Sequence, residues 1–417
     1  MIGILSRKMK GVPELSSLRQ SCDSLATVLR LEPRFLCDLS DREFHSDALA
    51  KAVLFVLFSP FKKEMMMTLT KLQNRLAEIT DQVIRIGTAD RERIGADVQT
   101  LIDHNSFQLD TEADVLAEIG AAAIGKHLDR KERLKLEQFG MGVGEPFVMI
   151  DGLPQQRDLP VTPDMFLDDA EIQFTDSLLL GTIGLARLQS LAVAYENFGR
   201  LGRNVAPSKA GLNSISSFGS KEPLEFHADN GGYFKGLEKI GSPSPHFLCF
   251  ASLRNQDKEG KPVPTDILRV ADIVSQLGSK LLTTIQQPIF KIMPGESNKG
   301  RVPVSNVSLL HRDAVTGEWL LRFKANGSQS VGLNRRARHA TKELIELIGT
   351  MKSYVIPIMI TPGRVLMFDN YRVLHRRSSF EPGEDFSKAK WLRRIFACQD
   401  LRNGQQIDPI HRPFVWK

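Results

Sequence analysis

Two histidines and one carboxylate set the chemical possibilities of this chain. In Leu224-Glu-Phe-His-Ala-Asp-Asn230, His227 and Asp229 stand two residues apart. In an extended strand, residues at that spacing project from one face, so both could reach a single metal ion. A further histidine, His375, lies in Phe368-Asp-Asn-Tyr-Arg-Val-Leu-His-Arg-Arg377, which reads as a turn followed by a strand. Two imidazoles and a carboxylate on one side of an octahedron leave three positions open, the arrangement used for non-haem Fe(II) oxygen chemistry. The spacing alone is weak, because the chain has nine histidines and His-x-Asp arises easily by chance. His246, His311 and His339 lack comparable surroundings and read as ordinary surface or partly buried residues.

A cationic strand strengthens the case. Lys390-Trp-Leu-Arg-Arg-Ile-Phe396 follows His375 closely enough to share a site with it. Arginine suits carboxylate binding because it forms a bidentate fork and keeps its charge. Arg393 and Arg394 are adjacent, so a strand can turn only one of them inward. Arg394 shares a face with Phe396 and Cys398 and is the preferred residue, with Arg393 as the alternative.

The elements that must position these groups divide the chain. Residues 67–86 carry apolar side chains mostly at three- and four-residue steps, the pattern of an amphipathic helix. A second helical stretch spans 112–138, and a third 176–195. From residue 140 onward the character changes. Short apolar runs alternate with Gly- and Pro-rich turns, with strands expected at 147–150, 247–253, 355–360, 365–368 and 394–398. Residues 271–282 and 338–351 read as helices between strands. This pattern predicts an α+β chain: a helical region over 1–110 and a mainly β catalytic unit over 111–417.

Composition narrows the function. With 42% hydrophobic and 25% charged residues the chain is neither disordered nor membrane-embedded, and its most apolar run, 52–61, is too short to span a bilayer. The net charge of +6 is spread over 417 residues and only 7% are aromatic, which argues against a nucleic-acid groove. Cys22, Cys37, Cys249 and Cys398 form no CxxC pair, and the last two sit in apolar runs as core thiols. No secretory h-region is apparent at the N-terminus, so a cytoplasmic location is expected, which suits a ferrous ion.

In order along residues 145–405, the motifs resemble the clavaminate synthase-like branch of the Fe(II)/2-oxoglutarate dioxygenases, within the taurine dioxygenase superfamily, which includes bacterial amino-acid hydroxylases. The resemblance runs through Ile150-Asp-Gly-Leu-Pro154, Leu159-Pro-Val-Thr-Pro163, Asn204-Val-Ala-Pro207, Ser216-Ser-Phe-Gly-Ser220, Pro245-His-Phe-Leu-Cys-Phe-Ala-Ser-Leu-Arg254 and Thr361-Pro-Gly-Arg-Val-Leu-Met-Phe-Asp-Asn370. It implies a double-stranded β-helix, or jelly roll, with flanking helices. It implies Fe(II) on His227, Asp229 and His375, with 2-oxoglutarate and O2 as cosubstrates. Arg394 matches an arginine that binds the distal carboxylate of 2-oxoglutarate, Lys390 replaces a second arginine, and Thr265 resembles a threonine that also contacts the cosubstrate. The implied activity is hydroxylation of an unactivated C–H bond in an amino acid or amino-acid-derived small molecule.

Four departures qualify the match. Asp229 stands where amino-acid hydroxylases often carry Glu, Lys390 replaces Arg, and Arg376 follows His375 where Gly is usual. Lys324, in Arg322-Phe-Lys-Ala-Asn326, replaces an aspartate that helps hold a basic or amino group in relatives, which weakens any expectation of a free cationic amino acid. The competing readings are a taurine- or γ-butyrobetaine-type dioxygenase acting on another small carboxylate or sulfonate, and a catalytically silent scaffold. Residues 1–110 match nothing in the resemblance. A substrate lid, a dimerisation element and a carrier-protein docking surface all stay open for them.

Overall fold

The short apolar runs become strands of four sheets among the described residues, and the two largest face each other, each backed by helices. The computed structural model describes residues 79–417 except 104, 165–166, 168, 194–195, 215–217, 230–245, 295–302, 328, 400–413 and 417. In chain order the strands are β1 (Val83–Arg85), β2 (Phe147–Asp151), β3 (Gln189–Val193), β4 (Arg203–Val205), β5 (Leu224–His227), β6 (Phe247–Arg254), β7 (Thr265–Arg269), β8 (Phe290–Ile292), β9 (Val304–Val307), β10 (Leu310–Arg312), β11 (Trp319–Leu321), β12 (Ser330–Gly332), β13 (Ile356–Ile358), β14 (Arg364–Asp369), β15 (Val373–Arg377), β16 (Trp391–Cys398) and β17 (Phe414–Trp416). The α helices are α1 (Thr88–Ile102), α2 (Leu109–Gly125), α3 (Arg130–Gly140), α4 (Gln173–Leu185), α5 (Val270–Gln276), α6 (Ser279–Ile285) and α7 (Arg335–Thr350).

The larger sheet runs β1-β2-β14-β6-β16-β3-β17, with β4 also paired to β16. One face is covered by α1 to α4, where Ile94, Leu116, Leu136 and Leu179 pack on Cys249, Met367 and Ile395. The alternate residues Phe250, Phe368 and Arg394 therefore turn to the other face. The smaller sheet runs β13-β7-β15-β5. Its outer face carries Phe226, Leu268 and Leu374, packed against Ile273 of α5, Leu281 of α6 and Leu344 of α7. His227, Ile267 and His375 thus turn inward. Helices α2 and α4 cross so closely that a Cβ on Gly120 would lie 1.9 Å from the Ser177 carbonyl oxygen. Only glycine fits there.

Several boundaries differ from the sequence reading. Residues 67–78 and the apolar run 52–61 lie outside the described residues, as do Cys22 and Cys37. The helix expected to reach Ile86 instead gives way to β1, which pairs in parallel with β2, Ile84 opposite Ile150. Pairing with a distant strand overrides the local period there. The 112–138 helix breaks at Asp129, whose carboxylate accepts from Glu132 N at 2.8 Å while Glu132 accepts from Asp129 N at 2.9 Å. That reciprocal cap starts α3. The helix expected over 176–195 ends at Leu185, passes Arg187 at φ 59° and continues as β3. Gly278 separates α5 from α6 within the helix expected at 271–282. Cys249 and Cys398 are buried, as expected of core thiols.

Residues 80–417 make one compact unit, and position 110 falls inside it, within α2. Among the described residues no helix is long and apolar enough to cross a membrane.

Candidate metal centre

Antiparallel pairing of β5 with β15 sets His227 directly opposite His375, with ring centroids 4.2 Å apart. Asp229 is not in the strand with His227, as its spacing suggested, but in the turn just beyond it. Its position comes from Asn370, which is fully buried. Asn370 Oδ1 accepts from Asp229 N at 2.8 Å and Asn370 Nδ2 donates to Asp229 O at 2.9 Å. The neighbouring Asp369 carboxylate accepts from Tyr371 N at 2.9 Å and so shapes the turn that delivers Asn370.

One ligand atom from each of His227, Asp229 and His375 lies within 4.8 Å of the others, the one such group among the described residues. His227 Nε2 is 3.2 Å from Asp229 Oδ1, and His375 Nε2 is 3.9 Å from the same oxygen. His227 Nδ1 donates to the Glu225 carbonyl at 2.8 Å. With Nδ1 engaged in that bond, Nε2 is the ring atom directed toward the carboxylate and available to a cation between them. Burial works against the charge on Asp229. Hydrogen bonding from His227 and the charges of His375, Arg394 and His227 outweigh it and hold the carboxyl well below its usual range. Burial, together with the charge of His227, pushes His375 down to about 3. It is therefore neutral at pH 7, the form a metal ligand requires. The donor set fits a divalent transition metal such as iron.

The larger sheet supplies the opposite wall. Phe368 lies 5.0 Å from the His375 ring and 5.8 Å from Phe250, an apolar surface against the site. Arg394 reaches across from β16, its Nη1 donating to Asp229 Oδ2 at 3.1 Å. Its Nη2 donates to Glu196, which also accepts from Arg203 Nη1 at 2.6 Å. Burial raises the Glu196 pKa, but Arg394 and Arg203 bring it below its usual value. Glu196 was missed in the sequence, where a lone acid after an apolar run carries no motif.

Arg393 turns the other way. It makes a two-pronged bond to Asp176 of α4 at 2.9 and 3.0 Å, with side-chain exposures of 1% and 0%. Its Nη1 also donates to Asn204 Oδ1 at 3.0 Å. Arg393 thus ties helix to sheet, and the inward arginine is Arg394. Asp176→Ala leaves a buried guanidinium without its partner and should cost about 3–5 kcal/mol of stability in urea unfolding. A loss under 1 kcal/mol would show that this pair does not hold the helix to the sheet.

A second cationic cluster lies farther along the same inner faces. Lys390 precedes β16, has the strand phase of Arg394 and is 4% exposed. Burial and the nearby Arg377 push its amine down to about 7. Arg377, two residues beyond His375 and paired in register with Thr265, donates to the carbonyls of Ser220, Ser378 and Glu222 at 3.2–3.3 Å. Burial lowers it to about 10. Among the described residues neither cation has a carboxylate partner. The hydroxyls of Ser220 and Ser252 are buried there without a hydrogen-bond partner.

Residues 182–396, more than half of the chain, match the family model described as taurine catabolism dioxygenase TauD, TfdA family. The chain belongs to the TauD/TfdA family. This family member is 24% identical over 280 residues to an L-lysine 3-hydroxylase of Catenulispora acidiphila, covering 64% of this chain and 71% of the relative. It is 22% identical over 349 residues to an enduracididine beta-hydroxylase of Streptomyces hygroscopicus, covering 75% and 94%. Among solved structures it shares its fold with asparagine oxygenase in complex with Fe(II), hydroxyasparagine and succinate, at a TM-score of 0.67 and 20% identity over 80% of this chain and 99% of that one. It shares it also with the non-heme iron oxygenase OrfP in complex with Fe and alpha-ketoglutaric acid, at 0.62 and 21% over 77% and 96%.

Proposed function

We propose that this TauD/TfdA family member is an Fe(II)/2-oxoglutarate-dependent oxygenase that hydroxylates an unactivated C–H bond of an amino acid or amino-acid-derived small molecule in specialised metabolism. The convergence of His227, Asp229 and His375 within 4.8 Å carries the reading. The names of the relatives support the substrate class, since three of them act on amino acids. The fold they share supports a double-stranded β-helix for the catalytic unit, which we start at Thr80. The roles left open for residues 1–110, lid, dimer contact or carrier docking, then fall to those before Thr80.

His227, Asp229 and His375 hold the iron. When bound, iron and 2-oxoglutarate supply the activation of O2 that puts oxygen into the substrate. The chain's own residues prepare that chemistry. Asn370 orients Asp229, the Glu225 carbonyl fixes the His227 ring, and Phe250 and Phe368 keep water from one side.

For 2-oxoglutarate the geometry shifts the weight between two cations. The resemblance implies Arg394 for the distal carboxylate, yet its guanidinium already lies beside Asp229. A group that close to the metal is poorly placed for the far end of a carbon chain that starts at the metal. Lys390 and Arg377, with Thr265 and the Ser252 hydroxyl, form the more distant cationic pocket and suit it better. We assign the distal carboxylate to them and leave Arg394 to groups next to the iron.

A taurine-type activity remains the second reading, favoured by the description of the family itself. A mass-spectrometric screen of amino acids, their derivatives and small sulfonates with Fe(II), ascorbate and 2-oxoglutarate tests both. An amino acid gaining one oxygen with matching succinate is the expected result. Gain only on a sulfonate would move the protein to the second reading.

A further inference from the structure

We infer that Arg203 is a positioning residue of the metal centre: through Glu196 and Arg394 it keeps one oxygen of Asp229 turned away from the metal. The inference rests on the oxygenase reading above. In β4, Arg203 stands in register opposite Arg394 of β16, and it is buried. Like charges directly opposite in a sheet are unfavourable, and burial and the charge of Arg394 lower the Arg203 pKa. A carboxylate is built in between the two. Glu196 begins the loop that leads to β4, where Asn197 and Phe198 take φ of 52° and 59°. Asn197 Nδ2 closes that loop by donating to the carbonyls of Arg200 and Gly202 at 3.2 and 3.0 Å. Glu196 Oε1 thus meets both guanidiniums, accepting from Arg203 Nη1 at 2.6 Å and from Arg394 Nη2.

One oxygen serves two cations, and the geometry of Arg394 shows the effect. Arginine can fork onto a carboxylate through Nε and Nη2, as Arg393 does with Asp176. Arg394 reaches Glu196 through Nη2 alone, and its Nε is buried with no hydrogen-bond partner. Its Nη1 goes to Asp229 Oδ2 at 3.1 Å. The two oxygens of Asp229 are thereby told apart. Oδ1 lies 3.2 Å from His227 Nε2 and 3.9 Å from His375 Nε2, while Oδ2 is held by Arg394. A metal on the histidines then meets one carboxylate oxygen, which leaves the neighbouring position for the cosubstrate. Without Arg203, Glu196 draws Arg394 into the full fork. Oδ2 is released, and both oxygens of Asp229 can close on the metal.

The test separates the metal from the cosubstrate. Fe(II) and then 2-oxoglutarate are titrated anaerobically into wild type, Arg203→Met, Arg203→Lys, and Arg203→Met combined with Glu196→Gln. Calorimetry follows Fe(II), visible absorption of the iron complex follows 2-oxoglutarate, and circular dichroism reports the fold. Arg203→Met should hold Fe(II) at least as tightly as wild type yet bind 2-oxoglutarate about tenfold more weakly, the scale of one charge-assisted contact. Arg203→Lys keeps the cation and should restore that affinity. The double variant should restore it too, because Arg394 then has no Glu196 carboxylate to draw it from Asp229. A role confined to folding predicts no such rescue. Equal weakening of metal and cosubstrate in Arg203→Met, an unchanged cosubstrate affinity, or a double variant as weak as the single one would each overturn the inference and leave the oxygenase reading intact. A wild type that takes up no Fe(II) would overturn both.

Discussion

His227→Ala and Asp229→Ala should each abolish substrate-dependent succinate formation while the protein stays folded. The metal supplies several kcal/mol of catalysis, so the loss is on the order of a thousandfold or more. The fold should survive because the ties to this segment are backbone ties. Asn370 bonds the main chain of Asp229, not its carboxylate. Arg394 retains Glu196 after Asp229 is truncated. Circular dichroism and thermal melting report the fold, and bound iron per chain reports the site. Wild type should take up one iron that the variants do not. Turnover at the wild-type rate in either variant would remove that residue from the metal site, whatever its spacing.

Lys390→Met should weaken 2-oxoglutarate binding by about tenfold to a hundredfold below pH 7, the loss of one charge-assisted contact. The same change should stabilise the ligand-free protein. The reason is the burial of a second cation beside Arg377 without a carboxylate, which costs free energy until an anion arrives. The pH dependence follows from the folded value of about 7 against the ordinary 10.5. Between these values the unfolded chain holds the proton and the folded one does not. The burial cost is therefore fully present below pH 7 and fades as pH rises toward 10.5, so wild-type stability climbs over that window. Lys390→Met should lack the climb. Binding runs the opposite way. Above pH 7 the amine must take up a proton to meet the carboxylate, so wild-type affinity should fall with rising pH and calorimetry should detect proton uptake. If Lys390→Met binds 2-oxoglutarate as wild type does and Arg394→Ala does not, the distal carboxylate belongs to Arg394.

Much of this site was legible in the residues alone. His227, Asp229 and His375 made a weak pattern by type and spacing that the surrounding motifs, through the family they resemble, made specific, and the two-residue period of a strand favoured Arg394 over Arg393 before any contact was known. Strands such as β6, β14 and β16 declared themselves by apolar runs closed by turns, because both faces of a central strand are covered. The two-residue spacing failed only in detail: Asp229 reaches the metal from a turn, because Asn370, far along the chain, pins it there.

What the sequence left undecided depends on which strands lie side by side. Periodicity states which residues share a face, but not which other face they meet. Glu196 became part of the site only when β3 and β16 were joined in one sheet and Arg394 came across to it. Arg393 was placed by a helix it could not be seen to touch, through Asp176. Lys390 read as a departure, a lysine in place of a second arginine. Burial beside Arg377 turns it into an amine poised near neutrality, and burial is a property of the packed chain. Lys324 was an anomaly of charge in the sequence. Its pairing with His227 puts it on the face of the metal ligands, since a backbone bridge between distant segments sets two residues on one face.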